Sequence, residues 1–175
     1  MNFKSTAPKA IRILGLDPGL RHTGWGVVES DGRTLRPVAA GVVSAPTSGD
    51  LAVRLRQLFE GLSEVLDLYT PHEAAVEETF VNTNPTSTLR LGMARGVVML
   101  APASKGLPVF EYGANKVKKT VVGVGHADKD QVMMMVKRLL PTLGEVKVDA
   151  ADALAIAICH SHHRETMNSW QEKRA

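Results

Sequence analysis

The 175-residue sequence predicts an α/β protein built on one mixed five-stranded sheet, three antiparallel strands and then two parallel ones, flanked by helices. Three observations predict it. Ile11 to Asp17 is apolar on both faces, the mark of a central strand. Two further strand-like segments follow it through short turns, which makes an antiparallel meander. From Asp50 onward, apolar residues at helical spacing alternate with short apolar runs, so the last two strands join through helical crossovers.

The elements follow in order. Residues 1–10 are polar and read as a loose arm. The first strand ends on Asp17, and Pro18-Gly19 turns the chain immediately afterwards, leaving the carboxylate uncovered. A second strand runs back through Thr23-Gly24-Trp25-Gly26-Val27-Val28. Asp31-Gly32 then starts the turn into a third, spanning 34–44. Asp50 stands where it can cap a helix carrying Leu51, Leu55, Leu58, Leu62, Val65, Leu66 and Tyr69 at helical spacing, stopped by Pro71. Glu73 to Glu78 is a fourth strand ending in paired acids. A second helix, 86–103, puts Leu89, Met93, Gly96, Val97 and Leu100 on one side, and Gly92 and Gly96 admit another backbone. A fifth strand, 107–112, leads to a short lysine-bearing helix over 113–122. Asp128 and Gln131 form a capping box for a helix over 128–140. The last helix, from Asp149 to about His163, is apolar nearly all round and so buried, and 164–175 is a polar tail. One domain, 11–163, lies between arm and tail.

Composition excludes several classes. With 44% hydrophobic and 22% charged residues the chain reads as globular rather than disordered or fibrous. The net charge of +3 and pI near 9.1 permit a polyanionic partner without demanding one. Cys159 is the only cysteine, which excludes an internal disulfide framework. Nothing resembles a signal peptide or an apolar run of membrane-spanning length, so a cytoplasmic location is the expectation.

Acids recur at the ends of these elements. Asp17 ends the first strand, Glu77 and Glu78 end the fourth, and Asp149 and Asp152 share one face at the start of the last helix. Each has an ordinary reading as a turn ligand, a solvated strand end or a helix cap. Together they would repel strongly without a cation among them. Carboxylates with no thiolate and no HExxH pattern select hard ions, Mg²⁺ or Mn²⁺. Two such ions roughly 3.5–4 Å apart can activate water and stabilise the leaving oxygen of a phosphodiester. The basic cluster Lys116, Lys118 and Lys119, with Lys129 beyond the glycine-rich turn and Arg90 and Arg95 on the second helix, suits a phosphate backbone. Phe80, in a polar loop beyond Glu77, can stack on an unpaired base or turn back into the core. His160, His162 and His163 at the end of the last helix suit its dipole better than a metal.

Leu14-Gly15-Leu16-Asp17-Pro18-Gly19 with Thr23-Gly24-Trp25-Gly26, Val76-Glu77-Glu78 with Phe80, Leu91-Gly92-Met93-Ala94-Arg95-Gly96, Thr120 to Gly125, and Asp149-Ala150-Ala151-Asp152-Ala153-Leu154-Ala155-Ile156-Ala157 closely resemble the RuvC family of Holliday-junction resolvases. The likeness runs from about Arg12 to about His162. It implies an RNase H-like fold, a homodimer, and Mg²⁺-dependent paired nicking of four-way DNA junctions, with two ions per subunit. By resemblance Asp17, Glu77, Asp149 and Asp152 are the metal-binding catalytic acids, which chooses Glu77 over Glu78. By the same resemblance Phe80 engages bases, and Lys118 and Lys129 lie near the cleaved strand. A branch-migration motor of the RuvA and RuvB type is the partner the family implies. The rival readings are another RNase H-like nuclease acting on RNA or an RNA-DNA hybrid, and a junction-binding protein without chemistry. An actin-like ATPase is a third, but it needs a duplicated domain that the chain has no room for.

Overall fold

The structure, a computed structural model, describes residues 10–46, 48–79 and 83–172, with side chains through Arg164. Strands β1 (Ile11–Asp17), β2 (His22–Ser30) and β3 (Leu35–Ser44) form the antiparallel meander, and β4 (Glu73–Glu77) and β5 (Val109–Tyr112) continue the sheet in parallel beyond β1. The order is β3-β2-β1-β4-β5, so the strand that is apolar on both faces lies in the middle. Ile13, Leu14 and Leu16 are fully buried there.

Side-chain alternation along β1 and β4 divides the interior into two layers. Leu14, Leu16 and Val76 face α1 (Leu51–Tyr69) and α2 (Pro85–Ser104), against Leu58, Leu62 and Val98. Ile13 and Ala75 face α3 (Ala114–Val122), α4 (Lys129–Leu139) and α5 (Val148–Glu172), against Val117, Val136, Leu154 and Ile158.

The helices depart from expectation in three places. Asp50 is the N-cap of α1 but bonds only through its backbone, its carbonyl accepting from Arg54 N at 3.1 Å. On α2 it is Ala94, Val98 and Ala101 that are buried, while Leu89, Met93 and Leu100 stay 62%, 39% and 57% exposed. The helix is apolar on more than one side, so periodicity alone does not choose the packed face. The last helix continues past His163 to Glu172, because 164–172 contains neither glycine nor proline to stop it. By contrast, the capping box of α4 forms as expected: Gln131 N donates to Asp128 Oδ1 at 2.8 Å and Asp128 N to Gln131 Oε1 at 3.0 Å.

A buried polar network ties α5 to the start of β4. Tyr112 OH donates to His160 Nδ1 at 2.7 Å, His160 Nε2 donates to Glu73 Oε2 at 2.8 Å, and Arg164 Nε donates to both Glu73 oxygens at 3.0 and 3.1 Å. The His160 hydrogen bond, with Arg164, holds the Glu73 carboxyl below its ordinary value. Its contribution to stability is therefore present above the unfolded carboxylate range and lost as pH falls through the folded value. Glu73→Ala strands a buried histidine and should cost about 2 kcal/mol, a Tm drop of roughly 4–8 °C by thermal melting. The far end of β4 should be undisturbed in the folded variant, because Glu73 and Glu77 stand at opposite ends of the strand, roughly 13 Å apart.

Candidate active site

The register of the two central parallel strands places the first two acids. Leu16 pairs with Val76, so the next residues, Asp17 and Glu77, end their strands side by side. Alternation points both toward α5. That helix reaches them because the sheet beneath it is lined with glycine. A Cβ on Gly15 would lie 2.0 Å from Ala153 O, and one on Gly24 would lie 1.9 Å from Asp149 O. Helix backbone thus rests directly on strand backbone, and the first turns of α5 carry Asp149 and Asp152 to the strand ends.

The electrostatics of the cluster show how closely the acids are confined. Burial, then the charges of Glu77 and Asp152 and more weakly Asp149, push the Asp17 carboxyl up to about 8. The raised Asp17 carboxyl is hydrogen-bonded to Glu77. Burial also raises Glu77, while that hydrogen bond and the charges of Lys118 and Lys129 pull it back. Lys129 Nζ donates to Asp152 Oδ2 at 3.2 Å, and the Asp152 charge raises the lysine in turn. Asp17, Glu77, Asp152, Lys118 and Lys129 line one cleft of about 210 Å³, floored by Val117, Val132 and Ile156. Among the described residues no three His, Cys, Asp or Glu side chains already converge as ligands on one point. The donor set, all carboxylate oxygens, suits a hard divalent cation.

The structure brings together Asp17, Glu77, Asp149, Asp152, Lys118 and Lys129. It does not bring Lys116 or Lys119 there. Lys116 Nζ lies 5.1 Å from the centre of the Tyr112 ring, and Lys119, exposed in the last turn of α3, does not line the cleft. The separation follows from helical geometry, since residues one or two apart diverge around the axis. Phe80 lies outside the described residues. Arg95 is engaged by Glu111 and by the Glu77 carbonyl, which accepts from its Nε at 3.4 Å. His160 is held in the polar network at the far end of β4, and Cys159 is buried with its thiol donating to Thr120 Oγ1 at 3.5 Å.

Sequence reasoning passed over Arg54, which is buried in α1, in the wall of a cavity that Asp149 also lines, rather than solvated. The signal was available, because Arg54 falls between Leu51 and Leu58 on the apolar stripe.

A sheet of this order, with acids closing its central strands and the start of the helix laid across them, defines an RNase H-like nuclease domain. The family model for crossover junction endodeoxyribonuclease RuvC matches residues 13–160. Brucella anthropi crossover junction endodeoxyribonuclease RuvC is 60% identical over 161 residues, covering 92% of this chain and 94% of that protein. The Bartonella quintana protein of the same name is 56% identical over 162 residues, covering 93% and 96%. Among solved structures, Thermus thermophilus RuvC in complex with a Holliday junction substrate matches with a TM-score of 0.82 at 33% identity, over 89% of this chain and 96% of that one. The yeast mitochondrial Holliday junction resolvase Ydc2, at 16% identity and a TM-score of 0.66 over 91% and 81% of the two chains, shares the fold. The chain belongs to the RuvC family of crossover junction endodeoxyribonucleases.

Proposed function

We propose that this protein resolves four-way DNA junctions by paired phosphodiester hydrolysis, with residues 11–163 as the nuclease domain between an arm, 1–10, and a tail, 164–175. The observation that carries this reading is that four carboxylates from three separate elements lie near one another at one end of the sheet. Like charges so confined raise one another and call for positive charge. Asp17, Glu77, Asp149 and Asp152 are the residues that hold it. Two Mg²⁺ or Mn²⁺ ions there would supply Lewis-acid stabilisation of the phosphodiester and ready formation of hydroxide. Lys118 and Lys129, on the rim of the same cleft, hold the cleaved strand by its phosphates, and Phe80 takes a base at the junction. Lys116 and Lys119 lie away from the cleft and contribute at most to the surrounding positive surface.

Two copies acting together present one site to each of two opposed strands of a near two-fold junction. The surface that suits the contact is the outer face of α2, where Leu89, Met93 and Leu100 are exposed and the space beside Gly92 and Gly96 is open. Leu100→Lys should shift the sedimenting species from dimer to monomer and abolish paired nicking; a variant that stays dimeric removes α2 from the interface. A branch-migration motor of the RuvA and RuvB type is the expected partner, and the cytoplasm the expected location. Among the described residues no helix is long and apolar enough to cross a membrane.

The test is a gel assay of a synthetic four-way junction with Mg²⁺, beside linear duplex and an RNA-DNA hybrid. Symmetric nicks confined to the junction are the expected result. Preferential cutting of the hybrid would move the protein to another branch of the fold, and binding without cleavage in either metal would leave a structural role.

A further inference from the structure

Beyond Asp149, on the side away from the acid cleft, lies a second and larger cavity of about 530 Å³, lined by Gly19, Leu20, Arg21, His22, Arg54, Ser87, Arg90, Leu91 and Asp149. Three arginines line it, Arg21 from the turn between β1 and β2, Arg54 from α1 and Arg90 from α2. Arg21 and Arg90 are exposed at its mouth, as an arginine ordinarily is.

Arg54 is not ordinary. Only 8% of it is exposed, and its Nε is buried without a hydrogen-bond partner. It forms no ion pair with any described residue. Gln57, one turn along α1, also has a buried oxygen without a partner, so the two groups do not satisfy each other. A buried guanidinium left unpaired is costly, and this one stands in the wall of an open cavity. The flat fork of an arginine matches a phosphate, and Ser87, in the first turn of α2, adds a hydroxyl on the same wall. The one acid present, Asp149, stands on the boundary with the catalytic cleft. An anion seated by Arg54 is therefore next to the reacting centre.

We propose that Arg54, with Arg21 and Arg90 at the rim, forms a seat for one DNA phosphodiester beside the one that is cut, fixing the register of the strand. The proposal rests on the junction-nuclease reading and names a second backbone contact for the same substrate. Arg54 is a positioning residue, since nothing places it on the reacting atoms.

The experiment measures binding of the full-length protein, in EDTA, to four-way junctions carrying a single uncharged methylphosphonate linkage at successive positions around the branch point. One linkage should weaken wild-type binding roughly tenfold, as removal of a charge-assisted hydrogen bond does. Arg54→Met should bind the unmodified junction roughly tenfold more weakly and show no further weakening at that linkage. It should also melt at or above the wild-type temperature, because it removes an unpaired buried charge. The slope of log affinity against log salt should become shallower by roughly 0.9 for each phosphate no longer neutralised. A variant as sensitive as wild type to every linkage overturns the proposal, and a lower melting temperature with unchanged binding makes Arg54 a packing residue. If Arg54→Met does not fold, the double variant of the exposed residues, Arg21→Ala with Arg90→Ala, carries the same comparison. Wild-type protein that neither binds nor cuts junctions sinks the function reading together with the seat. Wild-type protein that cuts junctions without the coupling sinks the seat alone.

Discussion

Gly24→Ala should nearly abolish junction cleavage in a protein that still folds at low temperature. The added methyl carbon falls 1.9 Å from Asp149 O and 2.5 Å from Asp149 C. These are backbone atoms, and no rotamer change relieves the clash. The start of α5 must move out by about an ångström, taking Asp149 and Asp152 with it. Overpacking of this kind costs about 1–3 kcal/mol. Displacing ligands by an ångström costs roughly 100-fold in rate. Circular dichroism should show native helix content, a Tm lowered by several degrees, and single-turnover nicking down by two orders of magnitude or more. Gly144→Ala is the control, because the space around Gly144 is open and its backbone is not left-handed. It should melt and cut as the wild type does. Equal nicking by Gly24→Ala and wild type would mean that the seating of α5 does not position the acids.

Asp17→Asn should separate chemistry from stability in opposite directions. The folded carboxyl of Asp17 is raised from 3.8 to about 8, chiefly by burial and then by Glu77 and Asp152. Between those values the folded state holds a proton that the unfolded chain has released. By linkage, stability in EDTA is unaffected by this group below pH about 4, declines as pH rises, and levels off above about 8. The decline is on the order of a few kcal/mol. Asparagine keeps the shape and cannot ionise, so the variant should be the more stable protein at pH 8.5 in EDTA and equal to wild type near pH 4. Adding Mg²⁺ should raise the wild-type Tm and leave the variant nearly unmoved. Nicking should fall by at least 1,000-fold in the variant, with junction binding retained. A variant that melts lower than wild type at pH 8.5 would show that the acids are not held against their own repulsion.

Much of this was legible in the residues because it depends on near neighbours along the chain. An apolar run on both faces specifies a central strand wherever it occurs, and β1 is central. The Asp128 and Gln131 box specifies where α4 starts, because cap and helix are three residues apart. The order of acids at the ends of β1, β4 and the start of α5 was also readable. Asp17 and Glu77 become neighbours through a register that parallel pairing imposes on two such runs.

The rest depends on which surfaces pack, and no local pattern carries that. Leu89, Met93 and Leu100 look like a core stripe, yet the small residues Ala94, Val98 and Ala101 face inward instead. Lys116 and Lys118 look alike in the sequence, and only the rotation of α3 against the sheet sends one to Tyr112 and the other to the acids. The proton on Asp17 and the unpaired guanidinium of Arg54 have no sequence signature of their own, because both arise from desolvation. By itself the sequence determined the elements, their order and the inventory of acids and bases, through short-range backbone geometry and hydrophobic periodicity. Only the tertiary structure decided which of those charges lose water and which face one another, since burial is a property of the packed layers rather than of any one segment.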